Sequence, residues 1–457
     1  MHRAIRIATL ISLSLLCGLF ALWAFGKENL NPLNLLSALL SVGLFGVCVV
    51  RFITRAMNVF AYGEDPSPDM LLGPRSLRRS FRHPWLQIAL LVLLSRVAVL
   101  IVAYALSSAI NGYSGGILDT MRGIWVRSDA NSYLGIAQNW YVADGDPRFH
   151  IVFLPFYPIV IRAISFITGN IFAAAIITSC LCAAAAGVFF YELAALSLSR
   201  DDALRAVKYL FVLPAAFFFC APMTESLFIL LSAATLYFAQ KKHILVACIL
   251  AAFAAFTRSV GALLALPIAI ECVNELCRRH RAAEKSGAKI CVYIACLCIV
   301  PLGLMAYLGV NYAVTGDAFK FMQYQHEHWS QGLGLFWDTA AYQLDYLRTA
   351  IADGNMRTLW GLFFPNLLCS FGALAIVAAA AKRLRPSHTA YFLAYYVFSI
   401  GATWLLSAPR YLTAALPLAL ALPMLIRGRF ADIAATTLLV ALQIGYLAMF
   451  VAGYPVY

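Results

Sequence analysis

Long apolar stretches, interrupted by short polar or basic segments, run along nearly the whole chain. The hydrocarbon core of a bilayer is about 30 Å thick and takes about 20 apolar helical residues to cross. Stretches near that length lie at about 5–25, 33–53, 86–110, 170–197 and 205–221, then at about 224–240, 243–257, 259–277, 288–312, 357–381, 389–407, 411–426 and 430–452. They predict an all-α, polytopic membrane protein with about thirteen transmembrane helices. The stretch at 151–168 is different. Its Leu154–Pro158 core, L-P-F-Y-P, interrupts a regular helix. Counting it as a full span would also put the basic residues Arg200, Arg205 and Lys208 on the outer side, so it is expected to dip in and return, or to lie along the surface.

Two long loops, at about 111–150 and 313–356, then face outward. Loops of such length carry function or are disordered, and the aromatics Trp125, Tyr133, Trp140, Tyr141, Trp329 and Trp337 favour order at a membrane surface. In the first loop Tyr133, Ile136, Ala137 and Trp140 recur at near-helical spacing, which predicts a short amphipathic helix with Asp129 near its start. The second is expected to carry a surface helix with Asp338, Asp345 and Asp353 on its wet side.

Composition narrows the class further. Of 457 residues 62% are hydrophobic and 12% charged, with a mean hydropathy of +0.80, a balance no soluble core accommodates. No polar block is large enough to fold separately, so one membrane domain is expected. The net charge of +13 does not point to nucleic acid. Basic residues cluster between apolar runs, as in Arg75, Arg78, Arg79 and Arg82, and with the N-terminus inside about 23 fall on the inner side against about 10 outside. The opening 25 residues read as an uncleaved first helix. Most of the 12 cysteines sit in apolar runs without zinc-type spacing and read as small core residues.

Polar residues with chemical potential gather at the outer ends of helices. Asp129 either caps its helix or serves a site. Arg96 lies within an apolar run, where a charge costs at least a few kcal/mol, so it requires either a salt bridge or a place in the site. Thr224 and Glu225 in A-P-M-T-E-S-L, Arg258 in F-T-R-S-V-G, and Arg410 with Tyr411 in S-A-P-R-Y-L fall on the same side as Asp129. In the second loop Gln325, His326 and Trp329 belong to Q-Y-Q-H-E-H-W, a segment suited to sugar or phosphate; its H-x-H pair has no matching third metal ligand. No Gly-rich phosphate cradle, HExxH or nucleophile elbow occurs, and no cofactor is expected.

Short motifs in order, S-D-A-N-S-Y-L-G-I-A-Q-N-W-Y (128–141), F-L-P-F-Y-P (153–158), T-E-S-L (224–227), F-T-R (256–258) and P-R-Y (409–411), give the chain a resemblance to the GT-C superfamily of polytopic glycosyltransferases. Within it the chain most resembles the mannosyltransferases related to PIG-V. The likeness spans about 86–423 and leaves out the first two helices, which implies an N-terminal transmembrane hairpin with a basic cytoplasmic loop, 1–84, ahead of a GT-C-like transmembrane catalytic domain, 85–457. It implies a GT-C-like fold and inverting transfer of a sugar, mannose by family likeness, from a polyprenyl phosphate donor to an acceptor hydroxyl on a glycan, lipid or protein. Asp129 would be the general base, with Arg96, Tyr133, Glu225, Arg258, Gln325, His326, Trp329, Arg410 and Tyr411 as substrate-binding candidates. It further implies a multi-pass protein of a bacterial inner membrane with its site facing the periplasm or exterior. Where the family carries Trp before the aspartate this chain has Ser128, with Trp125 three residues earlier. The competing readings are a transporter or lipid-linked sugar flippase, for which Arg96 and Glu192 are the residues placed near mid-membrane, and a noncatalytic subunit of a glycan assembly complex.

Overall fold

The computed structural model describes residues 2–28, 30–63, 84–112 and 116–457. The basic cluster Arg75, Arg78, Arg79 and Arg82 lies outside the described residues. The described chain is helical throughout, with no strand: α1 (His2–Phe25), α2 (Pro32–Tyr62), α3 (Pro84–Asn111), α4 (Ile117–Trp125), α5 (Asp129–Asn139), α6 (Phe156–Thr168), α7 (Ile171–Ala195), α8 (Arg200–Val212), α9 (Glu225–Gln240) and α10 (Ile244–Thr257). Then follow α11 (Ser259–Arg281), α12 (Gly287–Thr315), α13 (Lys320–Trp329), α14 (Phe336–Ala352), α15 (Met356–Ala380), α16 (Pro386–Ile400), α17 (Ala408–Thr413), α18 (Leu416–Leu425) and α19 (Arg429–Val451).

Eight of these helices, α1, α2, α3, α7, α11, α12, α15 and α19, are long and apolar enough to cross a membrane, so the chain is a multi-pass membrane protein. Every one of the expected apolar runs contains a helix, but α8, α9, α10, α16 and α18 have only 13, 16, 14, 15 and 10 residues. At 1.5 Å per residue α9 is about 24 Å long. The proline-interrupted stretch behaves as its sequence demands. A short 3-10 segment, Asp146–Val152, meets α6 at a bend of 111°, a broken span or a re-entrant turn.

Small residues set the helix spacing where side chains would otherwise hold backbones apart. A Cβ at Gly187 of α7 would lie 2.7 Å from Val92 of α3, and one at Gly303 of α12 would lie 2.0 Å from the Ala252 carbonyl of α10. The N-terminal hairpin is built into this packing, since α2 lies against α14, α15 and α16. Asp338 departs from the expected wet face: it accepts from Trp23 Nε1 at 3.0 Å and pairs with Lys27 at 3.0 Å, fastening α1 to α14. The reason is that α14 lies along the hairpin and not in open solvent.

Charged groups collect at the two ends of the bundle. At one end of α9 lie Glu225 and Arg258. At its other end Gln240 meets His388 at the start of α16, and Lys242 meets Glu271 of α11. Glu271, 2% exposed, also accepts from Arg385 Nε at 2.5 Å, Arg385 Nη2 at 2.9 Å and Ser387 Oγ at 2.7 Å.

Candidate functional site

The helix expected around Tyr133 is α5, and it begins at Asp129. The chain reaches that point through a firmly held turn. Trp125 is fully buried with ring centroids 6.5 Å from Phe217 and 5.8 Å from Phe450, and Arg127 donates from Nη1 to the Phe450 carbonyl at 2.6 Å. Ser128 then takes φ 47° and ψ −129°. A non-glycine residue in such a conformation stores about 1–3 kcal/mol and persists only where its surroundings fix it. The Ser128 hydroxyl makes no capping bond.

Asp129 does not cap the helix either. Its Oδ2 accepts from Arg410 Nη2 at 2.7 Å, a charge-assisted bond across 281 residues of sequence. Arg410 sits in α17 and is nearly buried; its Nε lies 3.4 Å from Glu225 Oε1, a charge contact and not a hydrogen bond, and its Nη1 lies 3.3 Å from the Met223 sulfur. Burial works against this guanidinium charge, yet Asp129 and Glu225 together hold its pKa well above the ordinary arginine value. Glu225, the first residue of α9 and 2% exposed, accepts on Oε1 from Arg258 Nη1 at 2.6 Å. A helix N-terminus favours the negative charge there.

These four groups therefore form one cluster, in the order Asp129, Arg410, Glu225, Arg258. Tyr411 joins it from the side, with both guanidiniums 5.3 Å from its ring centroid. Phe228 lies 5.6 Å from Arg258 and Phe218 5.6 Å from Arg410, so each cation is also faced by a second ring. Three features leave the cluster open to a ligand. The Asp129 side chain is 31% exposed and no hydrogen bond among the described residues reaches its Oδ1. The buried Glu225 Oε2 has no hydrogen-bond partner among the described residues. Both bonds of Arg258 leave from Nη1, so Nε and Nη2 keep three N–H donors in reserve.

Tyr133 packs beneath this cluster, edge-on to Phe153 at 5.2 Å and Tyr157 at 5.6 Å. Burial, and then the Asp129 charge, push its hydroxyl pKa upward, which keeps it neutral. Trp329 of α13 is one ring further out, 5.9 Å from Phe153. The remaining expected residues are placed elsewhere. Arg96 has no carboxylate partner among the described residues: fully buried, it donates to the main-chain carbonyls of Phe211 at 2.8 Å, in the last turn of α8, and of Ala216 at 2.5 Å, at the start of the 3-10 turn that follows. His326 is exposed, and Gln325 bonds Gln331. Glu192 is close to the end of α7 and accepts from Trp85 Nε1 at 2.6 Å, so it is a helix-end group and not a mid-membrane one. No group of three or more potential metal ligands occurs among the described residues.

Sequence reading passes over Met223, Phe218 and Phe228 because apolar residues that line a charged site look like core. Arg127 carries a signal, its place two residues before Asp129. Compared with known families and curated proteins, the chain matches no family model and no curated protein.

Proposed function

We propose that this chain is a membrane glycosyltransferase of the GT-C kind, transferring a sugar, mannose by family resemblance, from a polyprenyl phosphate to an acceptor hydroxyl. The observation that carries the reading is the Asp129–Arg410–Glu225–Arg258 cluster, which gathers the aspartate and both arginines of three separate sequence motifs with Asp129 Oδ1 and the Nε and Nη2 donors of Arg258 unbonded among the described residues. In this mechanism Arg410, with each of its nitrogens in contact with a neighbour, positions Asp129 through Oδ2. Oδ1 takes the proton of the acceptor hydroxyl as that oxygen attacks the anomeric carbon, worth about 10² to 10⁴ in rate. The bond from the anomeric carbon to the phosphate oxygen breaks on the opposite face, and polyprenyl phosphate leaves with the electron pair. Arg258 meets the phosphate with its unused donors, since a singly charged phosphodiester needs charge-assisted hydrogen bonds as its charge grows. The proton on Asp129 passes to water at the exposed edge of the site.

The fold and the acceptor classes, glycan, lipid or protein, come with this reading, as does placement in a bacterial inner membrane with the site facing outward. Purified protein with radiolabelled polyprenyl phosphate mannose and a membrane extract as acceptor tests it. The expected result is a labelled product of inverted configuration, absent with Asp129→Asn. No labelled product from well-folded protein, or undiminished product from the variant, rejects it.

A further inference from the structure

Between α16 and α17 the chain runs through residues 401–407 without regular structure, and this segment delivers Arg410. Buried main chain outside a helix must find other partners for its N–H and C=O groups. The Gly401 carbonyl accepts from the Gly334 amide and the Thr403 amide donates to the Gly332 carbonyl at 2.9 Å, while side chains of α14 and α15 hold Ala402, Leu405 and Ala408. Tyr342 Oη donates to the Ala402 carbonyl at 3.0 Å and accepts from the Leu405 amide at 2.8 Å, and Gln343 Nε2 donates to the Leu405 carbonyl at 2.8 Å.

Asn366 does more than any of these. Its Nδ2 donates to the Leu405 carbonyl at 3.1 Å and to Gln343 Oε1 at 3.2 Å, while its Oδ1 accepts from the Ala408 amide at 3.0 Å. Ala408 is the first residue of α17 and stands two positions before Arg410. One side chain thus clamps both limbs of the bend that aims the arginine. A carboxamide suits the task because it donates and accepts at once without charge. Asn366 is 1% exposed in a mostly apolar helix, where a leucine would pack without polar atoms to satisfy.

We propose that Asn366 is a positioning residue for the Asp129–Arg410 pair: it fixes the start of α17 so that the Arg410 guanidinium meets Asp129 and holds it in its reactive orientation. This rests on the transferase reading for its consequence in rate, while the clamp itself stands on geometry alone.

The test uses the full-length protein in detergent or nanodiscs, with two variants and two readouts. Asn366→Leu removes all three bonds; Asn366→Asp keeps the acceptor for Ala408 and loses both donors. Hydrogen exchange of the amides at 402–410 is expected to quicken at least about tenfold in Asn366→Leu, with α2 and α7 unchanged, because a released segment opens locally. In the transfer assay kcat is expected to fall about 10- to 100-fold at constant donor KM, since small displacements of a catalytic group cost that much and Arg258 is not held by this segment. Asn366→Asp is expected to fall between the variant and the wild type in both readouts. In an Arg410→Ala background, Asn366→Leu is expected to change kcat less than about twofold, because two residues acting through one group do not add.

Unchanged exchange at 402–410 overturns the clamp. Additive losses in the double variant overturn the positioning role and leave Asn366 a general packing residue. If wild-type protein transfers no sugar the transferase reading fails by itself, and the exchange experiment still decides the clamp. Should Asn366→Leu not fold, the exchange and rate of Asn366→Asp carry both decisions.

Discussion

Two clusters of oppositely charged groups sit at the two ends of this bundle, and they are finished differently. Around Glu271 every oxygen is taken: Arg385, Ser387 and Lys242 supply four donors to two carboxylate oxygens, and the carboxylate is 2% exposed. Among the described residues one oxygen of Glu225 is paired and the other has no partner, the neighbouring Asp129 is 31% exposed with Oδ1 unbonded, and Arg258 keeps donors unused. Composition does not separate the two, since both combine carboxylates with guanidiniums. Saturation does: a closed set of bonds can only hold helices together, whereas an unsaturated one has capacity for a ligand.

The sharpest way to break this contrast is to remove one acid from each end. Asp129→Asn is expected to lower sugar transfer about 10²- to 10⁴-fold and to cost roughly 1.5–3 kcal/mol of stability, since the nearly buried Arg410 loses a charged partner, measured by initial rates beside a melting curve. Glu271→Gln is expected to cost stability alone, about 1.5–3 kcal/mol as the buried carboxylate's charge-assisted bonds to Arg385 and Lys242 weaken, with kcat of the surviving protein retained. A Glu271 variant that loses activity without losing stability would erase the distinction. Arg258→Lys is the next step down. A point charge in place of the planar fork is expected to raise the donor KM and lower kcat, together about tenfold in kcat/KM, read from donor saturation curves. The smallest effect belongs to Ser128→Gly, which relieves the positive φ and is expected to raise stability by about 1 kcal/mol, seen as a higher melting temperature.

What the sequence disclosed follows from which interactions leave a local trace. Apolar length announced the helices, and the prolines of L-P-F-Y-P announced the 111° bend. The one-sidedness of Asp129, Glu225, Arg258 and Arg410 was legible because each stands at a helix end, and counting ends assigns them to one face. That they touch was not, because pairing across 281 residues has no periodic signature. Arg96 misled for a related reason: its partners are main-chain carbonyls around the break after α8, and backbone is the same whatever residue carries it. Asp338 was read as wetted because its own helix is amphipathic, while the residues that cover it, Trp23 and Lys27, come from the far end of the chain. The short runs were visible as short, but the breaks within 205–221 and 411–426 depend on how neighbouring helices accept the unpaired groups.

The helices that bear the charged site are the short ones. Glu225 opens α9, Arg258 follows α10, and Arg410 precedes α18, of 16, 14 and 10 residues. At about 24 Å α9 falls some 6 Å short of a 30 Å hydrocarbon layer, while α3 and α12, of 28 and 29 residues, exceed it. Such hydrophobic mismatch is met by thinning the bilayer or by sinking the short element below its surface. Either way the depth of these charges is set by helix length. An amphiphile can present its headgroup to them sideways, keeping its tail in oil throughout.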